Sequence, residues 1–205
     1  MPSKNDSPID ARDARLLQLV VCVATGRFEE LRRLREEAPK GEPDRSWREA
    51  VLQTHLFAGI PRVVEAFNIL QRAGGLGDLD DDEATVTPDV QSGRELFASI
   101  YGTGAASVRT RLEEFHPALA TWIAQHAYGT VLVRPGLDAK RRELLAVACL
   151  GSLGPERQLV SHTRGALAMG VSPKVLGALP TVLAEFWSET ERDRFRRVLD
   201  RELSG

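Results

Sequence analysis

The chain has 205 residues, 42% hydrophobic and 27% charged, with a formal net charge of -2. That length supports one large domain or two small ones around a substantial core, and the near-neutral balance supplies no field for gathering nucleic acid or an anionic membrane. The start, MPSKNDSPIDARDAR, lacks an apolar signal core and no apolar run reaches bilayer length, so the expected setting is cytoplasmic, with no nucleic-acid or membrane partner. Cys22 and Cys149 lie in the apolar runs LLQLVVCVA and LLAVACLG and read as buried thiols of a reducing compartment.

Residues 1–9 are polar with two prolines and read as a disordered tail outside the core. Apolar residues then recur at helical spacing: Leu16, Leu17, Val20, Val21 and Val23, followed by Phe28, Leu31 and Leu34. They predict two helices, broken at Thr25-Gly26 and stopped at Pro39-Lys40-Gly41. A third helix is expected from Asp44 or Ser46 through WREAVLQTHLF; Gly59-Ile60-Pro61 ends it, and PRVVEAFNIL resumes with proline in the first turn. The stretch AGGLGDLDDDEATVTPD, residues 73–89, combines glycines with acids and has no periodic apolar residues, so it reads as a linker.

Beyond the linker, helices are predicted over 89–101, 105–115 and 117–128. A VRPGLD turn follows, with Asp138 placed to cap AKRRELLAVACLGSL. Pro155 opens the next helix, Ser172-Pro173 the one after it, and ETERDRFRRVLDREL closes the chain. Strand alternation is absent, and the expected fold class is all-α. A faint internal repeat lays VCVATGRFEELRRLREEA (21–38) on CLGSLGPERQLVSHTRGA (149–166), matching Gly26 with Gly154 and Leu31 with Leu159. Leu34 then stands in the place of His162. The expected organisation is a first degenerate repeat over 10–72 and a second over 90–205 carrying the histidine, packed as one compact unit.

The segment TWIAQHAYGTVLVRPGLDAKRRELLAVACLGSLGPERQLVSHTRGALAMGVSP, residues 121–173, resembles the first part of a carboxymuconolactone decarboxylase domain, the family that includes the alkylhydroperoxidase D-like proteins. WREAVLQTHLFAGIPRVVEAFNIL, residues 47–70, resembles the segment that normally closes such a domain. The order is reversed here, by circular permutation or by a tandem in which each copy kept the half the other lost; the spacing from Leu34 to Gln53 favours the tandem. The resemblance implies an alkylhydroperoxidase D-like helical bundle, a homo-oligomer, and a site formed where the two segments pack together. For the decarboxylase branch it implies a small carboxylate substrate and no metal or organic cofactor.

Loss of carbon dioxide from a lactone acid requires a cation for carboxylate, a donor for the developing enolate charge and an acid to return a proton. Within the resemblance, Arg134 and Arg164 are candidate carboxylate ligands, and His162 is the candidate proton donor. Gln158 stands where decarboxylase-type sequences more often have glutamate, Glu143 falls where the peroxidase branch keeps a proton-handling glutamate, and His55 is a candidate for the same pocket. Each has a structural reading beside the functional one: a buried imidazole for His162, a solvated or salt-bridged helix residue for Glu143 beside Arg141 and Arg142, a helix-end cap for Arg134, and core or interface for His55.

Pro155 and Gln158 occupy the peroxidase branch's Cys-x-x-Cys positions. Dithiol peroxide reduction needs a low-pKa thiolate with a resolving partner, so that activity is not expected. No two histidines have the helical spacing of a zinc motif, and no metal site is expected. Two readings of function stand: a cofactor-free lactone-acid enzyme, and a non-catalytic helical protein kept for assembly or small-molecule binding.

Overall fold

Asp10 accepts a hydrogen bond from the Asp13 backbone N–H at 2.8 Å and starts α1 (Ala11–Thr25), which ends where Gly26 enters the left-handed region at φ 73°. Leu16, Leu17, Leu19, Val20, Val21 and Val23 are all 1% exposed or less, so this helix is buried on every side. Each of these side chains contributes roughly 1.5–3 kcal/mol on burial. In the computed structural model, which describes residues 7–84 and 87–204, α1 packs on α3 (Asp44–Ala58) and α8 (Ala139–Leu153), and these three form the centre.

Around that centre, α2 (Phe28–Glu36) and α4 (Ile60–Arg72) pack on each other beside α1 and α3. On the other flank, α9 (Glu156–Ala168) and α11 (Glu189–Ser204) lie on α8, and α10 (Pro173–Val182) joins α11. Among the described residues every regular element is helical, in agreement with the all-α reading. None of the helices is long and apolar enough to cross a membrane.

The two stretches written in swapped order do meet. Gln53 on α3 donates from Nε2 to the Arg142 carbonyl at 2.7 Å, and Arg142 on α8 donates to Glu49 at 2.8 Å. Gly26, φ 73°, and Gly154, φ 99°, each end a helix in the left-handed region, before α2 and α9. Leu34 packs against the apolar core, whereas His162 faces a carboxylate.

The chain departs from the sequence-based expectation in three places. Residues 1–6 of the expected tail lie outside the described residues, but Ile9 is 6% exposed and belongs to the main core. It precedes the Asp10 cap, the position from which an apolar side chain folds back on a first turn. The expected linker is a docked strap over its described part: Arg48 pairs with Glu83 and donates to the Leu76 carbonyl, Arg45 pairs with Asp80 and Asp82, and Arg35 donates to the Gly75 carbonyl. Its acids face arginines three apart on α3; residues 85 and 86 lie outside the description.

The third departure follows the remaining helices, α5 (Val90–Tyr101), α6 (Ala105–Phe115) and α7 (Pro117–Trp122). The helix expected to run to residue 128 widens after Trp122 into a π-helix, Ile123–Leu132. A side chain on Gly93 would sit 2.7 Å from Gly129 Cα, so α5 and the π-helix cross backbone to backbone. There the Gly129 carbonyl accepts the Asp89 N–H at 2.6 Å. The crossing carries a second, smaller core of Ile100, Tyr128 and Leu132.

Candidate active site

Asp138 caps α8 by accepting from the Arg141 N–H at 2.7 Å, and this fixes the helical phase of the run Arg141-Arg142-Glu143. Arg141 turns out to Asp13 at 2.8 Å, while Arg142 and Glu143, both 1% exposed, turn inward on different sides. Arg142 Nη2 donates to Glu49 Oε2 and to the Arg134 carbonyl, both at 2.8 Å. Glu143 Oε2 lies 2.9 Å from His162 Nδ1.

The His162 side chain is 11% exposed against 1% for its partner, so the carboxylate sits beneath the imidazole and the ring keeps an edge towards solvent. A carboxylate on Nδ1 selects the ring form whose proton lies on that nitrogen and turns Nε2 away from it. Phe57 of α3 stands edge-on to the ring, centroids 5.4 Å apart and planes at 85°. Gly165 answers why small residues follow the histidine: a Cβ there would lie 2.5 Å from Glu143 Oε2 and 3.0 Å from Ile100 Cγ2. Any larger residue at position 165 displaces the carboxylate from His162.

Two phenols also lie within reach of the charge on this carboxylate. Tyr101 and Tyr128 have their oxygens 3.4 Å apart, and burial first raises both above the ordinary phenol value, with the Glu143 charge adding to Tyr101 and the Tyr101 and Glu143 charges adding to Tyr128. Neither tyrosine was among the residues selected from sequence. The signal was present only as an aromatic in an apolar segment, and the π-helix decides that Tyr128 points inward.

Of the remaining sequence candidates, Gln158 shares α9 with His162, and Arg134, Arg164 and His55 are engaged elsewhere. Gln158 is exposed, one turn earlier on α9. Arg134 pairs with Glu49 at 2.9 Å and donates to the Glu83 carbonyl, closing the network that seats the strap on α3 and α8. A polar depression lined by Asp82, Asp89, Thr130 and Arg134 adjoins it and does not reach His162. Arg164 points outward, 67% exposed, and pairs with Glu202 of α11. His55 faces away to His126, with the two Nε2 atoms 2.6 Å apart. The arginines expected to hold substrate carboxylate therefore already hold protein carboxylates.

Glu143 was read as solvated or salt-bridged beside its arginines, or as a proton-handling acid; it is buried against the imidazole. Cys22 and Cys149 are free and buried, and burial pushes both thiols up to about 12, the reverse of what an attacking thiolate requires. Among the described residues no three His, Cys, Asp or Glu side chains group as metal ligands.

Residues 117–196, which carry α7 to α9 with Glu143 and His162, match the carboxymuconolactone decarboxylase family. Over these residues the chain is similar to that family. The chain is also 35% identical over 68 residues to the 4-carboxymuconolactone decarboxylase of Acinetobacter baylyi, an alignment covering 33% of this chain and 51% of that protein. The chain thus spans about half the length of the curated relative it matches. Phe57 and Glu49 lie outside the matched segment, whereas the Glu49 partners Arg134 and Arg142 lie inside it. The cover of His162 is supplied by the amino-terminal part of the chain.

Proposed function

We propose that this chain is a cofactor-free, decarboxylase-type lyase for a small carboxylate-bearing lactone, with His162 as proton donor and Glu143 as the residue that positions it. The supporting observation is the 2.9 Å contact between His162 Nδ1 and a carboxylate that is itself 1% exposed. The Glu143 carboxylate is placed to offset positive charge on the ring when both nitrogens carry protons. When the bond from substrate carbon to carboxylate breaks and its electron pair enters the conjugated lactone, carbon dioxide leaves and Nε2–H gives a proton to a carbon of the resulting dienolate. Gln158, one turn before His162 on α9, offers amide N–H groups to the substrate in place of an acid. Arg134 and Arg164, paired with Glu49 and Glu202, have no direct part in this scheme.

The test is carbon dioxide release from 4-carboxymuconolactone by the full chain. Loss of a general acid predicts a fall of about 100-fold or more for His162→Ala. A smaller fall is expected for Glu143→Gln, which keeps the ring but not its charge partner. An unchanged rate in His162→Ala removes the assigned role.

A second reading, a non-catalytic helical protein, is favoured by one observation: Phe57 covers the imidazole, and the polar depression at Arg134 excludes it. Absence of turnover with this and related lactone acids supports that reading. We propose self-association under either reading, because Phe115, Leu119 and Trp122 are 67%, 38% and 66% exposed along α6 and α7. Multi-angle light scattering of wild type and Trp122→Asp checks it, and a monomeric wild type contradicts it. A cytoplasmic setting belongs to the same proposal, supported by two free, buried thiols.

A further inference from the structure

The proposed reaction leaves one polar constellation unused. His55, near the end of α3, and His126, in the π-helix, are 71 residues apart in sequence, yet their Nε2 atoms approach to 2.6 Å with ring planes 51° apart. His55 Nδ1 is bound to the Leu52 carbonyl, so it carries the proton and its Nε2 presents a lone pair. His126 Nε2 then supplies the proton between the rings. An imidazole fixed by a backbone carbonyl on one nitrogen, with the other aimed at a shared point, is the arrangement in which histidine ligates a metal.

We propose that His55 and His126 form a two-imidazole site for a divalent transition cation that favours tetragonal geometry, of the nickel or copper class. The distance discriminates between cations. With metal–nitrogen bonds of about 2.0–2.1 Å, cis ligands at a right angle have nitrogens about 2.9 Å apart, while tetrahedral ligands need about 3.3 Å. The observed 2.6 Å reaches the first by an opening of roughly 0.3 Å and falls farther short of the second. Imidazole nitrogen is also a favoured donor for nickel and copper, and the intrinsic affinity order rises towards copper.

On binding, the proton between the rings leaves His126 Nε2 and the ring takes up a proton on Nδ1, so the pair remains neutral. Among the described residues no third His, Cys, Asp or Glu completes the group, so water or an exogenous ligand fills the other positions. His126 is exposed and offers the approach from solvent.

Titration of the full chain with Ni2+ alone, followed by calorimetry, tests the assignment. One Ni2+ per chain is expected, with affinity weakened roughly tenfold or more by His126→Ala and by His55→Ala. His116→Asn, which preserves the cap of α7 and removes a histidine elsewhere, leaves binding unchanged. Because His126 is exposed, its variant keeps the fold even where His55→Ala fails. No Ni2+ bound by wild type, or equal affinity in His126→Ala, makes the pair a hydrogen-bonded couple only and overturns the site.

Discussion

Glu49 is the residue on which the seating of α3 against α8 depends most. It has no exposed surface and accepts from Arg134 Nε at 2.9 Å and Arg142 Nη2 at 2.8 Å. Burial pulls the Arg142 guanidinium below its ordinary value, and the Glu49 hydrogen bond and charge oppose that pull. Glu49→Ala strands a buried cation, a change that costs about 3–5 kcal/mol. Urea unfolding followed by far-ultraviolet circular dichroism reads this directly. With a slope of about 3 kcal/mol/M for a chain of this size, the midpoint falls by about 1–1.7 M. The matched control is Glu36→Ala, which breaks the pair with Arg32 where both side chains are 45–47% exposed, and costs about 0.5 kcal/mol or less. A Glu49→Ala midpoint no lower than that of Glu36→Ala refutes the buried network and the joining of the two swapped stretches with it.

Further outcomes follow from single contacts. Gly151→Ala drives a methyl into Trp187, whose Cη2 would lie 2.7 Å away and whose Nε1 is fixed on Ser152 at 2.8 Å. Overpacking of about 3 kcal/mol then outweighs about 1 kcal/mol of gained helix propensity, and a melting temperature equal to wild type contradicts this. Arg164→Ala removes a 67% exposed guanidinium from Glu202, whose side chain is 5% exposed but keeps Arg201 as a second partner at 3.6 Å, so stability falls by about 1 kcal/mol or less, and a larger loss in denaturant unfolding removes the outward placement.

His126 titrates below the ordinary histidine value of about 6.5, through burial and then His55. The folded chain therefore binds fewer protons there than the unfolded chain as pH falls below about 6.5. This contribution to stability is present above that pH and is lost as pH drops towards the folded value. Proton NMR of His126 reads the value, and His55→Ala raises it part of the way back; a value above 6.5 in wild type refutes the pairing.

The all-α architecture was legible because α1, α8 and their neighbours carry apolar residues at helical spacing, closed by Gly26 and Gly154 and capped by Asp10 and Asp138. These signals are local. The docked strap was not legible, because acids at Asp80, Asp82 and Glu83 read as solvated until α3 brings Arg45 and Arg48 to them. His162 and Glu143 were both candidates, but their contact at nineteen residues' separation depends on the crossing of α8 and α9 and on the space left at Gly165. Arg134 and Arg164 looked available for the same reason that the strap looked like a linker: their partners, Glu49 and Glu202, are 85 and 38 residues away in the chain. Nor does helical phase predict the meeting of His55 and His126, since the second lies in a π-helix created by the Gly93–Gly129 crossing.

The seating of His162 on Glu143 carries the functional reading, and 15N NMR of the imidazole nitrogens at neutral pH tests it most directly. Nδ1 is predicted to bear the proton shared with Glu143, and Glu143→Gln is predicted to shift that resonance strongly while resonances of His116 stay in place. A His162 ring protonated on Nε2 alone, with Nδ1 bare and indifferent to Glu143→Gln, contradicts the arrangement from which the proposed proton transfer is drawn.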